Sequence, residues 1–167
     1  NKLFAQFEND EQIQAWNLKD GKPITLPETW KRVSNLCFGW DFIIHAHRET
    51  TENKTINLIL SDSDTYKPIR IISTDYFKIY DMVEKVGKLF VLGSESNPIN
   101  TGLSKNGSLI MYEDLTAKEK DYEMYKKTFE YDSDAVHANT LKIEQGIIYP
   151  SKWTPKTSCV WDYRTLD

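Results

Sequence analysis

Long hydrophobic runs are missing from this chain of 167 residues. No run approaches the roughly 20 apolar residues that cross a bilayer as a helix, so we expect no membrane-spanning helix. Lysine and arginine form no stripe along the sequence, and the formal net charge is −4. Because binding to nucleic-acid phosphates needs clustered cations, nucleic acid is not an expected partner.

Cysteines are few, and the sequence lacks both a glycine-rich phosphate loop and a signal peptide. Cys37 and Cys159 are the two cysteines, which leaves open one long disulfide-closed loop or two buried thiols. No glycine-rich loop joins a strand to a helix in the pattern that cradles phosphates. The first residues contain neither an initiator methionine nor the apolar core of a signal peptide, which fits a mature secreted protein, a processed fragment or a shortened chain.

The main pattern in the sequence is an alternation of apolar and polar residues, which predicts β-strands. Turn-forming runs such as "KDGKP", "SDSDTYKP" and "SKNGS" separate the strands. The predicted strands cover residues 2–7, 13–18, 41–47, 55–61, 69–73, 77–82, 88–93, 108–113, 140–145, 147–151 and 158–163.

One short helix is predicted near residues 116–127. Thr116 and Glu119 have the spacing of a capping box, and Tyr122, Met124 and Tyr125 give the segment an apolar side. Nowhere else does a helical period persist for three turns. We therefore predict an all-β, antiparallel fold with this single helix.

Pairs of strands recur loosely along the chain. "KLFAQF" and "IQAWNLKDGK" are followed later by "GKLFVLGSES" and "GSLIMYEDL", and then by "GIIYPSKW" and "SCVWDYRTLD". A fainter copy, "WDFIIHAH" and "INLILSDS", lies between the first two. Antiparallel sheets recurring every 40–50 residues or so are typical of propeller blades, and the second strand of each pair is predicted to be an outer strand. Residues 1–167 are thus predicted to form a single β-rich domain, which is either a minimal propeller or a fragment of a larger one. A β-sandwich or jelly roll is the alternative.

Two histidines, His45 and His47, are one residue apart within a predicted strand. Side chains alternate between the two faces of a strand, so both imidazoles are expected on one face, where they are close enough to chelate one metal ion. The alternative is an ordinary strand with polar residues on its solvent-facing side.

The same stretch resembles the first motif of the cupins, Gly-x5-His-x-His-x4-Glu, through Gly39, His45, His47 and Glu52. The resemblance covers residues 39–52, and Ile59 stands where the motif has a later glycine. It implies a jelly roll that holds a divalent metal through His45, His47 and Glu52. A cupin-like metal-dependent enzyme is therefore one alternative function.

Acidic residues suggest a second enzymatic alternative. A pair of carboxyl groups drives glycoside hydrolysis, and the chain has 25 acids, some of them in the clusters "SDSD" and "YDSD". Their spacing singles out no pair. A glycoside-processing enzyme is kept as an alternative without assigned catalytic residues.

Aromatic residues favour a binding function. Trp30 and Trp153 are flanked by proline and lysine, which indicates either a ring packed over the core or an exposed platform for sugars. If the repeats are blades, residues near the inner strands, including His137 and Asn139, lie at the mouth of a channel. The predicted ligand-binding residues are Trp30, Trp153, Tyr149, His137 and Asn139.

The function that these observations favour is a non-catalytic binding module of the attachment or adhesion type. Its expected partner is a glycan or a cell-surface protein, with no cofactor unless the metal alternative holds. An extracellular or virion-surface location is expected, and an oligomer is possible.

Overall fold

The computed structural model describes residues 1–6, 12–39, 41–48, 55–94, 106–113, 115, 124–130, 140–145, 147–151, 161–162 and 164–165. All strand pairs within these ranges are antiparallel, which confirms the predicted all-β, antiparallel class. The chain divides into two compact units, residues 1–74 (unit 1) and residues 75–167 (unit 2). One β-rich domain over residues 1–167 stays a prediction.

Unit 1 contains two sheets in which every strand pairs with the next strand along the chain. The first sheet has the order β1-β2-β3, and the second has the order β4-β5-β6-β7. The strands are β1 (Lys2–Ala5), β2 (Gln14–Asn17), β3 (Pro23–Ile24), β4 (Val33–Phe38), β5 (Phe42–His47), β6 (Asn57–Asp62) and β7 (Pro68–Ser73). A 3-10 turn, Glu28–Trp30, precedes β4.

The two central strands of the second sheet, β5 and β6, are buried on both faces. Four consecutive residues of β5, from Ile43 to Ala46, are buried, and β6 shows the same pattern. The alternative of a strand with a solvent-facing side therefore does not describe β5. The core of unit 1 contains a cluster of five buried residues, Ile13, Trp30, Val33, Ile43 and Tyr66, against which Phe4 of β1 and Ile24 of β3 pack.

Unit 2 also contains two sheets built from strands in chain order. The strands are β8 (Lys78–Lys85), β9 (Lys88–Ser94), β10 (Asn106–Glu113), β11 (Met124–Glu130), β12 (Thr140–Glu144), β13 (Ile147–Ser151) and β14 (Trp161–Asp162). The first four form one sheet and the last three form the other. The described core of the unit contains Phe90, Leu92, Leu109, Met111 and Ile148.

Tyr76 and Gly93 fit closely together in unit 2. The Tyr76 ring is fully buried, and its hydroxyl lies 3.0 Å from the Ser108 carbonyl oxygen, to which it donates. A Cβ on Gly93 would lie 2.7 Å from Tyr76 Cδ1 and 2.7 Å from the Lys78 carbonyl oxygen. Glycine is therefore required sterically at position 93.

The predicted helix is wrong over its last four residues. Met124–Glu130 form β11, and Met124 pairs with Tyr112 of β10. The partly buried Tyr125 packs against the unit 2 core, so sheet pairing together with burial outweighs the local helix signal. Residues 116–123 lie outside the described residues. In the part of the chain that the structure describes, no helix is long and apolar enough to cross a membrane.

The repeated pairs in the sequence correspond to neighbouring strands: β1–β2, β5–β6, β9–β10 and β13–β14. One detail of the prediction is wrong. In the four-stranded sheets the second strand of the pair, β6 or β10, is followed by β7 or β11 and is therefore third of four rather than outermost.

Candidate functional site

A cleft of about 590 Å³ opens in unit 1 where β1 approaches two turns, one between β4 and β5 and the other after β6. Its described lining comes from three separate segments of the chain. The lining residues are Asn1, Lys2, Leu3, Phe4, Phe38, Gly39, Phe42, Ile43, Ser63 and Asp64.

Aliphatic and aromatic side chains form one part of this cleft. Leu3 is 48% exposed and Phe38 is 54% exposed, although both are large and apolar. The Phe4 ring lies 5.5 Å from the Phe38 ring and stacks at 5.7 Å on Trp30 beneath it. The cleft therefore presents an apolar surface that is continuous with the core of unit 1.

Gly39 shapes the β4–β5 turn at the cleft. Its N–H donates to the Phe42 carbonyl oxygen at 3.0 Å. A Cβ at position 39 would lie 2.3 Å from the Phe42 ring, so glycine allows that ring to lie against the backbone. The position of the Phe42 ring in the cleft thus depends on the absence of a side chain at residue 39.

An ion pair forms the polar part of the cleft. The Lys2 ammonium donates to the Ser63 carbonyl oxygen at 2.7 Å and lies 3.3 Å from the Asp64 carboxylate. It also lies 4.9 Å from the centroid of the Tyr66 ring, within the range of a cation–π contact. The Asp64 side chain is 91% exposed and therefore keeps most of its acceptor capacity for solvent or a ligand.

The turn that carries Ser63 and Asp64 is held by Asp62. One oxygen of its carboxylate accepts hydrogen bonds from the Asp64 N–H at 3.0 Å, the Thr65 N–H at 2.6 Å and the Thr65 hydroxyl at 2.9 Å. These hydrogen bonds, first of all those from Thr65, lower the pKa of Asp62. Tyr66 ends the turn with φ of 60°, a conformation that is strained for an aromatic residue.

Trp30 supports this turn from below. Its ring is 0% exposed, lies 5.9 Å from Tyr66 and donates its indole N–H to the Tyr66 carbonyl oxygen at 3.0 Å. The expectation of an exposed sugar platform at Trp30 is therefore wrong. The 3-10 turn directs the indole into the core while Glu28 and Lys31 form an ion pair on the exposed side, so the polar neighbours in sequence did not indicate exposure of the ring.

None of the other predicted ligand-binding residues belongs to the described part of unit 1. Tyr149 belongs to β13 of unit 2, where it pairs with Lys142. Trp153, His137 and Asn139 lie outside the described residues, and their role in binding stays a prediction.

His45 is fully buried beside Trp30, with 4.4 Å between the ring centroids. Its Nε2 is hydrogen-bonded to the Ser61 hydroxyl at 3.1 Å, whereas the buried Nδ1 has no hydrogen-bond partner among the described residues. Burial, together with the nearby His47, lowers the pKa of His45 to about 3. The imidazole is therefore neutral at physiological pH.

His47 has a different environment. Its Nδ1 donates to the Lys31 carbonyl oxygen at 2.7 Å, so the two imidazoles make separate contacts. Within the described ranges, no group of three or more His, Cys, Asp or Glu side chains is arranged to hold a metal ion. Glu52 lies outside those ranges. The cupin-like metal site stays a prediction that depends on the sequence motif.

Sequence reasoning missed the residues of the cleft. Phe38, Gly39 and Phe42 are close together in the sequence and offered a local signal, a glycine turn between two phenylalanines. Lys2 and Asp64 are distant in sequence and offered none. No protein-family model matches this chain, and no curated protein matches it.

Proposed function

We propose that the protein is a non-catalytic binding module that recognises a surface glycan or a protein partner through the cleft of unit 1. The volume of about 590 Å³ falls within the range of about 300–1,000 Å³ that ligand sites occupy. Mixed apolar and polar walls are also typical of such sites. The proposal includes the extracellular or virion-surface location expected from the sequence.

The observation that carries the proposal is the grouping of Leu3 and Phe38. Single exposed apolar side chains are common on protein surfaces and need no explanation. These two line the same cavity, next to the Lys2–Asp64 ion pair. A partner that covers them gains the free energy of apolar burial, and hydrogen bonds to the ion pair fix the orientation of the bound partner.

The carboxylates in the described lining of the cleft favour a binding function over glycoside hydrolysis. The described lining contains one carboxylate, Asp64, and its partner is the Lys2 ammonium. Glycoside hydrolysis by the usual mechanism needs two carboxyl groups about 5–10 Å apart on either side of the scissile bond. The described lining offers no such pair.

A propeller-like arrangement is part of the same proposal. Four sheets, each formed by consecutive strands, are the building plan of blades. Within unit 2, the first strands of the two sheets, β8 and β12, contact each other, and the Leu141 N–H donates to the Asp81 carboxylate at 2.5 Å. Contact between the first strands of successive sheets is expected when those strands surround an axis.

The test is binding of the purified chain to a glycan array and to a panel of cell-surface proteins. Leu3→Ala and Phe38→Ala are expected to lower the affinity for the ligand about tenfold each, since each removes apolar contact area. Leu18→Ala and Ile69→Ala are matched controls, because both residues are similarly exposed and neither lines the cleft. Equal affinity in all four variants, or release of a cleaved product from a bound glycan, would contradict the proposal.

A further inference from the structure

Among the described strands, one edge of the β1 backbone has no partner. The Leu18 N–H donates to the Asn1 carbonyl oxygen at 3.0 Å, so residue 1 directs its carbonyl group towards β2. In an antiparallel ladder, alternate residues direct their backbone groups to the same side. Leu3 and Ala5 therefore also face β2, whereas the N–H and C=O groups of Lys2 and Phe4 face the opposite side.

The next strand confirms this alternation. The Asn17 N–H donates to the Lys22 carbonyl oxygen at 2.9 Å, on the β3 side of β2. Asn17 is the partner of Lys2 in the register, and neither residue of this pair directs its backbone at the other. Among the described strands, β1 pairs only with β2, so the outward groups of Lys2 and Phe4 have no strand to bond.

The cleft lies along this unpaired edge. Four consecutive residues, from Asn1 to Phe4, line it. Successive side chains of a strand point to opposite faces, so consecutive residues line one cavity when the cavity touches the edge of the backbone. The cavity therefore offers backbone donors and acceptors as well as apolar side chains.

We propose that the cleft binds an extended polypeptide, which adds as a strand to the free edge of β1 and places an apolar side chain against Phe38 and Phe42. This inference rests on the proposed binding function of the cleft and names its partner. Strand addition suits the site because main-chain hydrogen bonds provide affinity while a side-chain pocket provides specificity. A glycan has no regular row of amide groups to match Lys2 and Phe4.

The charges at the cleft add a second feature of the partner. Lys2 is already bonded to the Ser63 carbonyl oxygen and to Asp64, whereas the Asp64 side chain extends into solvent. A basic side chain next to the apolar residue of the peptide is therefore expected to pair with Asp64. The favoured partner is an extended segment with an apolar or aromatic residue beside a lysine or arginine.

The test begins with a random heptapeptide display library, selected on the purified full chain. Each enriched peptide is then synthesised in three forms: unmodified, N-methylated at alternate backbone amides in one register, and N-methylated in the other register. N-methylation in one register removes the donors to β1 and is expected to weaken binding at least about tenfold. In the other register it is expected to have little effect.

Hydrogen exchange adds a residue-specific readout. Peptide binding is expected to slow exchange of the Phe4 amide, which faces the free edge. Exchange of the Leu3 and Ala5 amides, which face β2, should change less. Phe38→Ala and Asp64→Asn are expected to weaken binding, while the control Ile69→Ala, on β7 away from the cleft, is expected to leave it unchanged.

The outcomes separate this inference from the proposed function. Strand addition is overturned if peptides bind equally well after N-methylation in both registers. It is also overturned if no selected peptide binds the unsubstituted protein more tightly than the Phe38→Ala variant. Binding of a glycan that Phe38→Ala abolishes would then keep the proposed function and replace its partner. Concentration-dependent dimerisation that Phe38→Ala removes would identify a second copy as the occupant and also overturn the inference. If neither peptide, glycan nor second copy engages the cleft, both proposals fail.

Discussion

Unit 1 and unit 2 are both built from antiparallel sheets of consecutive strands, but the side chains in their described cores differ. In unit 1 the core contains polar side chains, the fully buried His45 and Ser61, and its aromatic cluster continues into an open cleft. In unit 2 the described core cluster is apolar, and the buried polar side chains that accompany it are the serines Ser94 and Ser108 rather than an imidazole.

The two units also differ in how many large apolar side chains they expose, and unit 1 exposes more of them in the described ranges. In the described ranges, the large apolar side chains that are exposed are Leu3, Leu18, Phe38, Ile69 and Ile71 in unit 1 and Val86 in unit 2. The difference shows that one sheet topology accommodates both an open cleft lined by exposed apolar side chains and a unit whose described part is closely packed. Variants that act on one unit and leave the other intact test this comparison.

The largest effect is expected from Trp30→Ala. Removing a fully buried indole that stacks on Phe4 and His45 should lower the free energy of unfolding by about 3–5 kcal/mol. Hydrogen exchange measured residue by residue should show the loss in unit 1. Trp30→Phe, which keeps a ring, should cost less, and an unchanged stability of Trp30→Ala would contradict the core position of this residue.

The next largest effect on stability is expected at Gly93, and Gly39 serves as its comparison. Gly93→Ala forces a Cβ against the Lys78 backbone and should destabilise unit 2 by about 1–3 kcal/mol. In Gly39→Ala the nearest atoms to the new Cβ belong to the Phe42 ring, which can rotate away, so the variant should cost well under about 1 kcal/mol while changing binding at the cleft. Denaturant unfolding of both variants is the measurement, and equal losses would remove the distinction between the two glycines.

Lowering the pH should destabilise unit 1 through His45. Its pKa of about 3 in the folded state is below the ordinary value of 6.5, so the unfolded chain takes up the proton first as pH falls. The stability contributed by neutral His45 is complete above about pH 6.5 and is lost towards about pH 3, by at most about 1.4 kcal/mol per pH unit. Unfolding between pH 7 and 5 should show this slope, and His45→Gln should flatten it; an unchanged slope in that variant would contradict the assignment.

The smallest effect is expected at the β8–β9 hairpin of unit 2. Val86 and Gly87 form its two-residue loop with φ of 54° and 75°, a conformation that disfavours β-branched residues. Val86→Asn should therefore stabilise the protein by about 0.5–1 kcal/mol, visible as a higher melting temperature. Val86→Thr, which stays β-branched, is the control and should give no comparable gain.

Strands with clear alternation were predictable, and those without it were not. β4 was missed because a bulge between Val33 and Asn35 interrupts its alternation. β11 was missed because a capping-box pattern precedes it and its first residues also suit a helix. Only pairing with β10 decides between these conformations.

The candidate site was less predictable than the fold. Phe38 lies outside the predicted strands, and nothing local connects it with Lys2 or Asp64. For Trp30 the sequence left open a ring packed over the core or an exposed platform, and contacts with Phe4, His45 and Tyr66 decide for the core.

The sequence by itself determined the antiparallel β class, the paired strands and the turn at Asp62, because side-chain alternation and turn chemistry act between near neighbours. Tertiary structure alone decided that His45 and Trp30 are buried and that β1, which pairs only with β2 among the described strands, lies beside a cleft. These features arise from contacts between residues far apart in the chain, which no local pattern records.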